Sequence, residues 1–195
     1  MAARSGMADI ISALRGMCEA GTADYTLASF GTAWSDDHLQ DILDENRFDV
    51  NEDMVTMPRY SGSTAEYYDY YFQSRPVERA SSGSAVFHLY NSAGSAAGTA
   101  NYSVNYRAGH VEFTADQGQT RWSVRARAYD LNGAAAAVWR MKAAHYQASG
   151  FDVKTDNHDV KRSQLVDRAL KMAEKYENAS TGAYGVLVLS RTDAY

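Results

Sequence analysis

The chain has 195 residues, 45% of them hydrophobic, and a net charge of −5, which suits one domain or one compact domain carrying an inserted subdomain. Its single cysteine, Cys18, excludes an intramolecular disulfide framework, and no apolar run approaches the roughly 18–20 residues of a membrane helix. The opening MAARSGMADII has no apolar stretch followed by a small-residue cleavage site. The expectation is therefore a soluble protein made in a reducing cytoplasm, where the sequons at Asn101 and Asn178 have no use.

In chain order, residues 7–20 place Ile10, Ile11, Leu14 and Cys18 at helical spacing, with Gly21 as a stop and Cys18 as a small buried hydrophobe. Residues 22–33 read as a polar connector with a short extended stretch around Asp24–Leu27. The next start is sharper. Ser35 is a natural N-cap, Asp36 and Asp37 suit the positive end of a helix dipole, and Trp34 and Leu39 are spaced as a hydrophobic staple. A helix over 35–47 is predicted, with Leu39, Ile42 and Leu43 on its buried face.

From about residue 53 the period changes to two. Tyr68, Tyr70 and Phe72 alternate with Asp69 and Gln73, and Ala85, Phe87 and Leu89 alternate with Val86, His88 and Tyr90. Asn91–Gly98 is a loop, and 101–106 and 110–114 are strands joined by a three-residue turn with Gly109 left-handed. Gly118 sits in the turn that closes this antiparallel meander. A long alanine-rich helix is predicted over 121–148, carrying Leu131, Ala135, Val138, Lys142 and Tyr146 at helical spacing. Its alanines bury little area, so its small-residue face suits close approach of another backbone, in this chain or a neighbour. A last helix over 160–177 would bury Val166, Ala169, Leu170, Ala173 and Tyr176. The tail 182–195 contains the β-prone run GVLVL, which suits a sheet edge in this chain or in a partner. The whole is an α+β chain. Helices occupy 1–52, a β meander is inserted at 53–119, a helical core follows at 120–180, and 181–195 form a C-terminal arm.

Two compositional features bear on partners. Fourteen tyrosines against six phenylalanines suit either half-buried strands or surfaces that become interfaces. Residues 1–60 hold 4 Lys/Arg against 11 Asp/Glu, whereas 121–180 hold 11 against 7. That polarity is satisfied either by pairing inside one copy or by head-to-tail association between copies. The basic half is too dilute for a dedicated nucleic-acid surface.

Signals of catalysis are sparse. There is no glycine-rich phosphate loop, no CxxC, no HExxH and no serine elbow. Asp152, Asp156, Asn157, His158 and Asp159 could hold a hard cation through oxygen ligands, but their spacing is not that of an EF-hand, and capping and turn chemistry accounts for them. Asp36, Asp37 and His38 could form an acid–base group, although a helix start explains the same residues. Arg125, Arg127 and Asp130 fit either helical ion pairs or a subunit contact. No catalytic, cofactor or metal residue is assigned.

Taken in order, several segments carry a resemblance: the ADIISALRGM helix, Trp34-Ser35-Asp36-Asp37-His38-Leu39-Gln40-Asp41-Ile42-Leu43-Asp44, and the Tyr-rich meander. They continue with Ala126-Arg127-Ala128-Tyr129-Asp130-Leu131-Asn132, the alanine run with Trp139, Lys142-Ala143-Ala144-His145-Tyr146, and Phe151-Asp152. This order resembles the head–tail connector (adaptor, or head-completion) proteins of long-tailed bacteriophages, best over 34–50 and 120–177. The resemblance implies a non-catalytic virion protein, made in the bacterial host cytoplasm, that forms a ring, commonly twelve-fold, beneath the portal of the head. The implied partners are the portal protein, other copies in the ring, and a stopper or tail-terminator protein. Packaged DNA would be met only without sequence preference, and no membrane or cofactor is involved. By position, Tyr184, Val186, Leu187, Val188, Leu189, Arg191 and Tyr195 would belong to a portal-binding arm. Tyr67, Tyr68, Tyr70, Tyr71, Arg125 and Arg127 would lie at a subunit interface. The large β insertion departs from all-helical adaptors, so a stopper or tail terminator is the alternative neck component.

Overall fold

The computed structural model describes residues 3–21, 26–27, 31–32, 34–80, 86–148, 153–155, 158–160 and 162–180. These residues build a mixed α+β fold around two hydrophobic cores, one helical and one β. A 3₁₀ turn at Ser5–Met7 leads into α1 (Ala8–Cys18), which buries Ile10, Ile11, Leu14 and Cys18. The stop comes two residues before Gly21: Glu19 adopts a left-handed φ of 51° and, with Ala20, caps the Arg15 carbonyl. Beyond it, β1 (Thr26–Leu27) and β2 (Gly31–Thr32) form a two-residue hairpin pairing. The helix start at α2 (Asp36–Glu45) matches its sequence signals. Ser35 Oγ accepts from the His38 amide at 3.2 Å, and Trp34 and Leu39 are both fully buried in the helical core.

Strands begin earlier than the change of period suggested. β3 (Arg47–Asp53) follows α2 after a single residue, Asn46. β4 (Val55–Ser61), β5 (Thr64–Tyr71), β6 (Phe87–Asn91), β7 (Tyr102–Asn105) and β8 (His110–Phe113) come next. The main correction concerns residues 122–129, expected to be the first turns of the long helix. They are a strand, β9 (Trp122–Tyr129), the central strand of a sheet ordered β3-β9-β6. Trp122, Val124, Ala126 and Ala128 face the β core, while Ser123, Arg125 and Arg127 point away from it. Arg125 and Arg127 therefore do not form helical ion pairs. A second sheet, ordered β4-β5-β8-β7, packs Tyr70, Val111 and Phe113 against the same core, and all pairings are antiparallel. The β7–β8 turn has four residues rather than three, Tyr106–Gly109. Gly109 has a φ of +65°, and a Cβ there would meet the Phe72 carbonyl at 2.4 Å, so no side chain fits the turn.

α3 (Leu131–Ala148) starts one residue after β9. Asp130 caps it, its Oδ1 accepting from the amides of Asn132 at 3.0 Å and Gly133 at 3.1 Å. The alanine run is consumed inside the chain: Ala134, Ala135 and Ala136 are buried, and α3 packs against α1, α2 and α4. Small side chains here let three helices approach one central helix. After β10 (Val153–Thr155) and β11 (His158–Val160), α4 (Arg162–Ala179) lies along α3. It buries Ala169 and Ala173 and half-buries Val166 and Tyr176, but Leu170 is 50% exposed, outside the expected stripe. α3 covers only the middle of the apolar side of α4, and Leu165 and Leu170 lie on its opposite flanks.

Candidate functional site

The two cores are joined by a buried polar network. Glu78 is fully buried and accepts from Tyr129 Oη at 2.7 Å and Arg4 Nε at 2.9 Å. Arg4 also grips Asp44 with both terminal nitrogens, at 2.8 and 2.6 Å, and its amide donates to Gln40 Oε1. The residues come from the N-terminal turn, α2, the segment after β5 and the end of β9. Asp44, with Glu78, raises the Arg4 pKa further above its ordinary value, and burial followed by the Glu78 hydrogen bond raises that of the Tyr129 phenol. Both groups keep their protons. The network is a fixed joint between the two cores.

A second cluster closes the C-terminal end of α1. Lys142 is 2% exposed; its ammonium donates to the Glu19 carbonyl at 2.9 Å and lies 5.2 Å from the Trp139 ring centre and 5.9 Å from that of Trp34. Trp139 Nε1 and Tyr176 Oη both donate to the Met17 carbonyl. Burial pushes the neighbouring Cys18 thiol up to about 12, so it stays protonated and unreactive.

The outer face of the four-stranded sheet carries Asp69, Arg59, His110 and Glu112. Asp69 accepts from Arg59 and from His110 Nε2 at 2.8 Å, Arg59 reaches on to Glu112 at 2.7 Å, and Tyr71 stacks on the imidazole at 4.8 Å. The Asp69–His110 contact has the form of an acid–base dyad, yet the carboxylate is also occupied by Arg59. Among the described residues no hydroxyl or thiol hydrogen-bonds the ring. The arrangement is an ion-pair network across strands. The Arg59 hydrogen bond, with His110 adding to it, holds the Asp69 carboxyl below its usual range. A depressed pKa contributes stability that is present above the unfolded-state value, about 3.9, and lost as pH falls through the folded value. The melting temperature of the wild type is expected to fall faster between pH 5 and pH 2 than that of Asp69→Asn; calorimetry at stepped pH measures it, and parallel profiles would refute the assignment.

The sites expected from sequence are scattered. Tyr70 is in the β core, 1% exposed, with its hydroxyl donating to the Thr120 carbonyl, so it is unavailable at a surface of the folded copy. Tyr67, Tyr68 and Tyr71 are half-buried on β5. Arg125 and Arg127 are on the far face of the other sheet, beside a groove with Asp49 and His88, where Arg125 stacks on Tyr90 at 4.6 Å. Asp36 pairs with Arg15 and the His38 ring stacks on Trp34, which supports the helix-start reading. The 182–195 arm, with Tyr184, Val186, Leu187, Val188, Leu189, Arg191 and Tyr195, lies outside the described residues, as do Asp152, Asp156 and Asn157. Among the described residues no group of three His, Cys, Asp or Glu side chains is placed to hold a metal, and no helix is long and apolar enough to cross a membrane. Sequence reasoning missed Glu78 and Arg4, whose role depends on contacts across 74 residues. No known protein family, curated protein or solved structure matches the chain.

Proposed function

We propose that the chain is a structural neck component of a long-tailed bacteriophage virion, one copy of a ring between the portal and the neck or tail, without catalysis. The observation that carries this reading is the apolar surface one copy leaves uncovered. Val55, Met57 and Tyr60 are 56, 59 and 73% exposed along β4, an outer strand of its sheet, and Leu165 and Leu170 flank α4. Large apolar side chains grouped on an edge strand suit a surface that another chain covers. The resemblance over 34–50 and 120–177 supplies the kind of assembly, and those segments form α2, the start of β3, all of β9, α3, β10, β11 and most of α4.

Electron microscopy and native mass measurement of the full chain mixed with a portal protein test the reading. A ring bound to the portal is expected, and absence of both ring and portal association would overturn it. The extensive β structure gives the stopper or tail-terminator alternative its support. Deleting 182–195 separates the two, because it abolishes portal docking by an adaptor and leaves a terminator's attachment intact.

A further inference from the structure

Where the two bodies meet, a cleft of about 540 Å³ remains open, with α1 on one wall and the Pro76–Arg79 segment and the β7–β8 turn on the other. Ile10, Ala13 and Val77 give it apolar lining, and Arg79 and Arg107 stand exposed beside it. Arg75 holds the turn that carries Arg107, donating to the carbonyls of Arg107 at 3.3 Å and Ala108 at 3.0 Å. Asp9 is the one carboxylate among the described lining residues, and Arg79 pairs with it. Arg75 and Arg107 have no ion-pair partner among the described residues. The groove at Arg125 and Arg127 differs, because Asp49 sits directly opposite Arg127 in the register and offsets its charge.

The same chain carries the complement. On α2, Asp37, Asp41 and Glu45 recur every fourth residue on the side away from Leu39 and Leu43, a row of carboxylates about 12 Å long. Asp41 and Glu45 are exposed and form no ion pair among the described residues.

We propose that the cleft bordered by Arg75, Arg79 and Arg107 receives the acidic outer face of α2 from a second copy of this chain. The contact joins two different faces, and a heterologous contact is the kind that a ring repeats when its rotation closes, whereas a self-complementary face stops at a dimer. Opposite charge steers the encounter and sets the register, while the apolar lining is covered by the incoming helix. The proposal rests on the ring reading above and adds which faces meet.

Full-length Asp41→Cys and Arg107→Cys chains of different tag length, mixed under mild oxidation, give the direct test. Cys18 is buried and does not compete. A disulfide-linked heterodimer is expected in the mixture, with neither homodimer in the single-variant samples. Cross-linking of Asp41→Cys to Arg125→Cys instead would overturn the docking, as would an oligomer by native mass measurement that yields no 41–107 link. In that last case the ring reading stands; neither oligomer nor link, with portal protein present, removes both. In a second arm, Arg107→Glu is expected to weaken association about tenfold or more at low salt, and Asp41→Arg with Glu45→Arg in the same chain to restore it. Unchanged association of Arg107→Glu would equally overturn the proposal.

Discussion

Glu78→Ala is expected to lower the stability of the folded chain by about 3 kcal/mol, which for a chain of this size lowers the melting temperature by roughly 6–12 °C. The side chain is fully buried, so its carboxylate is stable there only because Arg4 and Tyr129 both donate to it. Its removal leaves the Tyr129 hydroxyl with only its longer contact to Asp44 Oδ1, at 3.5 Å, and leaves Arg4 with Asp44 as its one carboxylate partner. The loss falls at the low end of the range for buried pairs because Arg4 keeps 32% exposure and a second carboxylate. Tyr129→Phe removes the hydroxyl that donates to Glu78 and accepts from Arg4 but leaves the ion pair, so a smaller loss of about 1–2 kcal/mol is expected. Scanning calorimetry of the three proteins checks the ordering. A Glu78→Ala chain that melts within 2 °C of wild type would show that the joint is held by apolar packing instead.

Lys142→Glu is expected to cost more, above about 4 kcal/mol, because it places a carboxylate beside the carbonyl end of α1 and against two tryptophan faces. Every group that favours the ammonium there opposes an anion: the Glu19 carbonyl at 2.9 Å, the rings of Trp34 and Trp139, and the negative end of the helix dipole. The chain would fold poorly or protonate the new side chain. Lys142→Met keeps the length and the ring contacts and loses only the cap, so about 1–2 kcal/mol is expected. Urea denaturation separates these cases. A Lys142→Glu chain within 1 kcal/mol of wild type would mean that the ammonium is not what closes α1.

The helix starts were legible because their chemistry is local. Ser35 with Asp36 and Asp37, and Leu39 with Ile42 and Leu43, stand within one or two turns of each other, and the structure uses them as written. Asp130 was equally local as a cap, followed by Leu131 and Asn132, but the alanine run after it drew the expected helix back over β9. The alternation of Trp122, Val124, Ala126 and Ala128 against Ser123, Arg125 and Arg127 was a strand signal, masked because alanine at alternate positions satisfies both periods. β3 went unread for a different reason: Arg47–Asp53 is rich in Asp, Asn and Glu and becomes a strand through pairing with β9 along its own full length. Leu170 shows the limit of an apolar stripe, since only a partner helix decides which part of it is covered. The junction residues could not be found at all, because the distance in sequence between Arg4, Glu78 and Tyr129 hides that they meet.

The pairing of Arg47 with Tyr129 has a consequence for the order in which the chain folds. These are the first and last residues of the β body, and they are neighbours across two strands. The helices before and after it, α2 and α3, are therefore delivered side by side once the sheets form. Closing a loop of roughly 80 residues costs on the order of 4 kcal/mol in chain entropy, and the seven-residue β3–β9 register is what offsets that cost. Sheet formation, dominated by distant partners, is then expected to be slower than the docking of the helices. A chain built this way would leave the ribosome with its acidic helix α2 made early and held waiting for a strand synthesised some 80 residues later.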